Sequence, residues 1–262
     1  MVNESTKPNS EYRAENVREL PRREGLRRGI YLLPNLITTG ALFSGFYSII
    51  ASMSGDLEQA AIAIVIAGFL DSLDGRVARL TNTQSEFGVQ YDSLSDLVAF
   101  GVAPAVLMFS WVLSDLGKLG WSIAFLYMAC AALRLARFNT APDSKVFFGL
   151  ASPAAAGTLA TLCWVWFDNV QGELGLELGL PFGILAATLA LLMVSNIRYY
   201  SPKNMDFNDR VPFLFMFIIV LLFVVVAVYP PGMLLLIGLV YAASGPFGSL
   251  LRKKNSGERE EV

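Results

Sequence analysis

The sequence predicts an all-α integral membrane protein, a bundle of about eight transmembrane helices. Hydrophobic residues make up 54% of the 262 residues, more than the usual apolar share of a soluble domain. They are gathered into runs near the length of about 20 residues that an α-helix needs to cross a bilayer. The Lys and Arg residues are concentrated between alternate runs, as expected for a membrane protein of fixed orientation.

Eight apolar runs follow a polar N-terminal stretch, and each is expected to form one helix. They cover residues 33–53, 57–79, 91–113, 119–138, 153–168, 181–197, 211–229 and 232–250. Pro230 and Pro231 separate the last two runs, which predicts a tight hairpin there. We therefore divide the chain into a basic juxtamembrane segment (1–28), a transmembrane domain (29–251) and a tail (252–262).

The basic residues also set the expected orientation. If the N-terminus lies in the cytoplasm, all of the 20 Lys and Arg residues except Lys118 lie on the cytoplasmic side, as the positive-inside rule requires. Both termini are then cytoplasmic, in a multi-pass protein of the cell membrane. We expect no cleavable signal peptide, because the first run lacks a small-residue cleavage site. The basic N-terminal segment either binds anionic membrane lipids or only fixes the topology.

Residue types narrow the chemistry further. The chain contains no histidine, so acid–base catalysis would depend on carboxylates, Lys, Tyr or water. Cys130 and Cys163 both lie in apolar runs, which argues against a disulfide framework and against a CxxC metal site. No soluble domain is recognisable, and we expect no nucleic-acid partner.

Four aspartates lie where the second predicted helix ends and the third begins. Asp71 and Asp74 form one pair, and Asp92 and Asp96 form the other, with spacings that place both members on one helix face. Carboxylates at a membrane edge are costly and repel one another unless cations lie between them. Oxygen ligands without nearby His or Cys suit Mg²⁺, Mn²⁺ or Ca²⁺. The sequence therefore predicts a divalent-metal site, or alternatively the ion pathway of a cation transporter.

This stretch resembles the signature of the CDP-alcohol phosphatidyltransferases. The pattern is D-x-x-D-G-x-x-A-R, eight residues, then G-x-x-x-D-x-x-x-D, and its fixed positions are Asp71, Asp74, Gly75, Ala78, Arg79, Gly88, Asp92 and Asp96. A transporter would not explain why Gly75, Ala78 and Arg79 stand at set offsets. Gly75 and Gly88 also predict close backbone approaches.

The resemblance implies a reaction and a set of roles. The donor would be CDP-diacylglycerol or an ether-lipid counterpart, CMP would leave, and the protein would be a homodimer. Two divalent cations would be bound by Asp71, Asp74, Asp92 and Asp96, with Asp96 as a ligand, the general base for the acceptor hydroxyl, or both. The residues expected to contact the CDP-lipid are Asn35, Thr38, Gly75, Ala78, Arg79 and Gly88. Asn35 could equally be a helix N-cap or a satisfied buried amide.

Two later stretches bear on the acceptor. The segment R-L-A-R-F-N begins at Arg134, and F-G-L-A-S-P begins at Phe148. Together they resemble the phosphatidylserine synthase branch of the family, in which the second stretch usually reads G-L-P-S-P; here Ala151 replaces the first proline. The implied acceptor is L-serine, bound by Arg134, Arg137 and Asn139, since arginine forks suit carboxylates. Arg137 could instead be a snorkelling topology anchor. Glycerol 3-phosphate, inositol phosphate or choline as acceptor stays open.

Overall fold

A computed structural model describes residues 24–81, 83, 85–140, 148–170, 176–197, 199 and 213–257. In these ranges the long elements are all helices, so the all-α prediction is confirmed there. The helices are α1 (Glu24–Ser54), α2 (Leu57–Leu80), α3 (Glu86–Leu116), α4 (Lys118–Thr140), α5 (Ser152–Asn169), α6 (Leu176–Val194), α7 (Phe213–Val228) and α8 (Pro230–Gly257).

Each predicted apolar run overlaps one of these helices, although some ends differ. α1 begins well before the predicted run and contains Pro34 within its helical part. α6 is displaced toward the N-terminus from the predicted run 181–197. α8 begins at Pro230, where the missing proline N–H costs no helical hydrogen bond. The predicted break between the last two helices therefore lies where the two prolines stand.

Membrane crossing is supported by length and composition for four stretches among the described residues. These are Leu32–Ser54, Glu86–Leu116, Lys118–Thr140 and Pro230–Ser249. The chain is accordingly a helical membrane protein, while the count of eight crossings and the side on which the termini lie stay predictions. The predicted segment 1–28 lies outside the described residues up to residue 23, and the predicted tail lies outside them from residue 258.

α1 and α2 form an antiparallel pair that leads to the aspartates. Near their connection, the Tyr47 hydroxyl donates to Oε1 of Gln59 at 2.7 Å. Further along, the Ser44 hydroxyl donates to the Ala63 carbonyl at 2.7 Å. At the far end the Thr38 hydroxyl donates to Asp74 at 2.6 Å. This series of contacts fixes the register of the two helices, and therefore the height of Asp74 relative to α1.

α3 runs through the centre of the bundle and is irregular. Two stretches of wider, π-helical turns interrupt it, Leu97–Val102 and Phe109–Leu113. The first begins directly after Asp96, and such turns are frequent at functional sites. A Cβ on Gly45 of α1 would lie 2.7 Å from the Cα of Ala99, so this close crossing of α1 and α3 requires glycine.

α5 packs against α2 and α8 through small side chains. Ala155, Ala156 and Ala160 are fully buried, as is Ala67 on α2, and small residues let helices approach closely in lipid. Cys163 of the same helix is free and buried, like Cys130 of α4. The first turn of α5 lies toward the end of the bundle that carries the aspartates, where Ser152 accepts a hydrogen bond from Arg134.

Candidate active site

Three of the four aspartates converge on one point. One carboxylate oxygen from each of Asp71, Asp74 and Asp92 lies within 4.8 Å of the others. Asp74 is buried, at 4% exposure, and the other two are half-buried. The Asp71–Asp74 pair of α2 is therefore brought to Asp92 of α3, where α1 packs against both helices.

Asp96 lies one turn beyond Asp92 on α3 and approaches Asp71. Its carboxyl group is within hydrogen-bonding reach of Asp71. Two ionised carboxylates repel each other, so this approach needs a proton or a cation between them. Asp96 is thus adjacent to the group of three without belonging to it, and its role as ligand, base or both stays a prediction.

Asp74 is held in place by α1. Its Oδ2 accepts from the Thr38 hydroxyl at 2.6 Å, and the backbone N–H of Gly75 also donates to its carboxylate. The Thr38 carbonyl in turn accepts from the buried hydroxyl of Ser95 at 3.2 Å. The sequence assigns Thr38 to the CDP-lipid; in the described contacts its hydroxyl orients the Asp74 carboxylate.

The donor atoms fit a hard divalent cation. The group of three supplies only carboxylate oxygens, which Mg²⁺, Mn²⁺ and Ca²⁺ prefer. Oδ1 of Asp92 is buried and accepts no hydrogen bond from any group in the described part of the chain. A buried carboxylate oxygen without a donor is costly, and a cation between the three aspartates would remove that cost. The residues present could therefore hold a metal ion.

The two glycines of the motif behave differently. A Cβ on Gly88 would lie 3.1 Å from Oγ of Ser85 and 3.5 Å from Oδ1 of Asn35, so the predicted close approach is found there. At Gly75 a Cβ would meet nothing within 4 Å. No described residue packs on this exposed face of α2, so a close approach of the CDP-lipid at Gly75 stays a prediction.

Asn35 and Arg79 both lie at this end of the bundle. Asn35 is inside α1 rather than at its start, so its alternative interpretation as a helix N-cap is wrong. The Nε of Arg79 donates to the Gly75 carbonyl of its own helix at 2.9 Å, which directs the side chain back along α2. Ala78 is partly buried on the following turn. The nucleotide contacts assigned to these residues stay predictions.

The predicted acceptor residues separate into three environments. Nη1 of Arg134 donates to the Ser152 hydroxyl at 2.9 Å. The exposed Arg137 places its guanidinium 5.6 Å from the centroid of the Phe148 ring. The Asn139 amide donates to Oγ of Ser93 at 3.0 Å, beside Asp92. Arg134 alone among the three turns into the bundle, where it interacts electrostatically with Asp96.

Ala151, which replaces the usual proline, keeps a backbone conformation that a proline could adopt. Its φ is −63° and its ψ is 133°, and a proline ring fixes φ near −65°. Ala151 also stands directly before the helix α5, in the extended conformation that precedes a helix start. The substitution is therefore compatible with the loop that the family pattern implies.

Sequence reasoning missed several polar side chains that contact the site. Ser93 and Ser95 flank the aspartates within the motif and bond to Asn139 and to α1. The sequence could have indicated both residues, because a hydroxyl in an apolar span usually has a hydrogen-bond partner. Ser152 of α5, which accepts from Arg134, had no local signal that pointed to this contact.

Fold and site together define a class: a helical membrane protein with an acidic, metal-compatible centre at one end of its bundle. Residues 31–194 match the CDP-alcohol phosphatidyltransferase family, and this range contains every site residue predicted from the sequence. The chain belongs to the CDP-alcohol phosphatidyltransferase family and is an enzyme of that class.

Similar proteins from bacteria and archaea carry related names. The chain is 42% identical over 201 residues to the CDP-diacylglycerol–serine O-phosphatidyltransferase of Helicobacter pylori, covering 74% of this chain and 80% of that protein. It is 36% identical over 198 residues to the protein of the same name from Methanocaldococcus jannaschii, covering 76% and 88%. It is 38% identical over 170 residues to the archaetidylserine synthase of Methanothermobacter thermautotrophicus, covering 64% and 69%.

Proposed function

We propose that this enzyme transfers the phosphatidyl group of CDP-diacylglycerol, or of an ether-lipid equivalent, to the hydroxyl of L-serine. The products are phosphatidylserine and CMP. The observation that carries the proposal is the convergence of Asp71, Asp74 and Asp92 in a chain whose relatives are named for this reaction. The archaetidylserine synthase among them is the reason to keep the ether-lipid donor.

At the donor end, the group of three aspartates would hold the metal. We assign two Mg²⁺ or Mn²⁺ ions, with the pyrophosphate of the donor as the source of further ligands; Ca²⁺ is a possible bound ion. When bound, such ions neutralise phosphate charge and orient the attacking and leaving oxygens. Thr38 fixes Asp74 for this task through the 2.6 Å hydrogen bond.

The nucleotide would lie against the exposed face of α2. Gly75 borders open space, and a side chain there would occupy the volume that we assign to the nucleotide. Ala78 and Arg79 follow on the next turn, and we assign Arg79 to a phosphate. Gly88 and Asn35, which lie together across from α2, would close the other side.

The chemical step is centred on Asp96. The oxygen of the serine hydroxyl attacks the phosphorus that bears the lipid, and Asp96 takes the hydroxyl proton. A bond from phosphorus to the serine oxygen forms, the bond from phosphorus to the CMP oxygen breaks, and CMP leaves with that oxygen. Asp96 is within hydrogen-bonding reach of Asp71 and within electrostatic range of Arg134, which supports a place for it between the donor end and the acceptor end.

The enzyme would act at the cell membrane with its site facing the cytoplasm, as a homodimer. The positive-inside distribution of Lys and Arg supports this orientation, because the aspartates lie next to Arg76 and Arg79 on the side that we predict to be cytoplasmic. The dimer follows from resemblance to the family.

One assay tests the proposal. Purified enzyme in detergent is incubated with CDP-diacylglycerol and one alcohol from a panel of L-serine, glycerol 3-phosphate, inositol phosphate and choline, and CMP and new lipid are measured. We expect both products with serine, and neither after chelation of divalent ions. Products with a different alcohol would reassign the acceptor. Metal uptake into proteoliposomes without CMP release would favour a cation transporter and overturn the proposal.

A further inference from the structure

The acceptor end of the site contains the Arg134 guanidinium, which is held by the first residue of another helix. Nη1 of Arg134 donates to the hydroxyl of Ser152 at 2.9 Å. Ser152 is the first residue of α5 and is completely buried, at 0% exposure. Because the acceptor of this hydrogen bond cannot move to solvent, the direction of the Arg134 side chain is fixed by where α5 begins.

The start of α5 is itself locked by the loop before it. The N–H of Gly149 donates to the Ile197 carbonyl at 2.9 Å, and the N–H of Leu150 donates to the Leu192 carbonyl at 3.0 Å. Gly149 has φ of +79°, and a Cβ there would lie 2.2 Å from the Met193 carbonyl oxygen. The loop therefore has one position against the end of α6, which sets the position of Ser152.

One edge of the Arg134 guanidinium is left for a ligand. Nε of Arg134 is buried and donates to no partner among the described residues. Since Ser152 accepts from Nη1, the edge that carries Nε and Nη2 faces away from it. Two parallel N–H groups on one edge bind a carboxylate in a bidentate manner, and a buried donor without an acceptor favours such a ligand strongly.

We propose that Ser152 is a positioning residue that holds Arg134 as the binding group for the carboxylate of an amino-acid acceptor. This inference rests on the proposed function and extends it to selectivity. Through Arg134, Ser152 would help to discriminate an alcohol that carries a carboxylate and an amine from one that carries the amine alone. Ser152 takes no part in the chemical step.

The test compares L-serine with ethanolamine, which has the same hydroxyl and amine but no carboxylate. The variant is Ser152→Ala. The matched control is Ser122→Ala, whose hydroxyl donates to the Lys118 carbonyl away from Arg134. Each variant is assayed as the full chain, with kcat and KM measured separately for serine and for CDP-diacylglycerol, and the rate with ethanolamine as the second substrate.

We expect Ser152→Ala to raise the KM for serine by about 3- to 10-fold, the effect of one hydrogen bond. The preference for serine over ethanolamine should fall by the same factor, while kcat and the KM for CDP-diacylglycerol stay near wild type. Combined with Arg134→Lys, Ser152→Ala should not lower the preference further, because residues that act through one group are not additive.

Three outcomes contradict the inference. An unchanged preference in Ser152→Ala would do so, as would equal losses with serine and ethanolamine, which indicate a structural role. Full additivity with Arg134→Lys would place Ser152 elsewhere in the mechanism. A wild-type enzyme that makes no lipid from serine would instead overturn the proposed function, so the two failures are distinguishable.

Discussion

The two ends of the site are built in different ways. The donor end comes from consecutive elements, since Asp71, Asp74, Asp92 and Asp96 lie within one stretch of α2 and α3. The acceptor end joins α4 to α5, which lie further apart in the chain, because Arg134 donates to Ser152. A motif can therefore specify the donor end alone. The identity of the acceptor depends on how distant helices pack, which suggests how one family could use one donor chemistry with different alcohols.

The largest expected effect is loss of the metal-binding group. Asp71→Asn and Asp92→Asn each remove a charged ligand, and we expect kcat/KM to fall by more than about 100-fold, since even outer-shell partners of metal ligands cost 10–100-fold. Metal-dependent binding of CDP-lipid should weaken in parallel. Asp115→Asn, an exposed aspartate at the other end of α3, is the matched control. Unchanged metal dependence in both site variants would separate the aspartates from the metal.

The next effect distinguishes Asp96 from its neighbours. If Asp96 is the general base, Asp96→Asn should lower kcat by about 10²- to 10⁴-fold, the usual contribution of a positioned base. The affinity for CDP-lipid should stay close to wild type, because the group of three aspartates is intact. Binding is measured by titration with CDP-lipid and turnover by CMP release. Equal losses in both would make Asp96 an ordinary metal ligand.

At the acceptor end, replacement of an arginine should act on serine alone. Arg134→Lys removes the planar fork, and loss of a charge-assisted hydrogen bond of about 1.5–3 kcal/mol corresponds to a rise of about 10- to 100-fold in the KM for serine. The KM for CDP-lipid should change little. Arg137→Lys, on the exposed side chain beside Phe148, should have a weaker effect. Steady-state kinetics with serine varied checks both, and an unchanged serine KM would move the acceptor site elsewhere.

The smallest expected effect tests whether a side chain of α1 strengthens metal binding at the donor end. Thr38→Val removes the hydroxyl that donates to Asp74 and leaves the shape of the side chain nearly unchanged. We expect about 3- to 10-fold more Mn²⁺ to be needed for half-maximal activity, the effect of one hydrogen bond. The serine KM at saturating metal should not move. A changed serine KM with an unchanged metal requirement would contradict the separation of the two ends.

The same contrast explains how much of the molecule could be predicted. The helical runs and the aspartate motif depend on residues close in sequence, and the structure places helices and carboxylates accordingly. Arg134 is predicted from the sequence as an acceptor residue, and the structure places its guanidinium against the buried Ser152. The contact itself was missed, because no local pattern reports a hydrogen bond between distant helices.

The central claim is that Asp71, Asp74 and Asp92 form the metal centre that activates the donor. Crystals of the enzyme grown with Mn²⁺ and CDP-diacylglycerol, measured at the manganese absorption edge, test it directly. We predict anomalous difference peaks between these three carboxylates, at coordination distances of about 2 Å from their oxygens, with the donor pyrophosphate on the same ions. Bound donor without a peak at the three aspartates, or with manganese held by other side chains, would contradict the account.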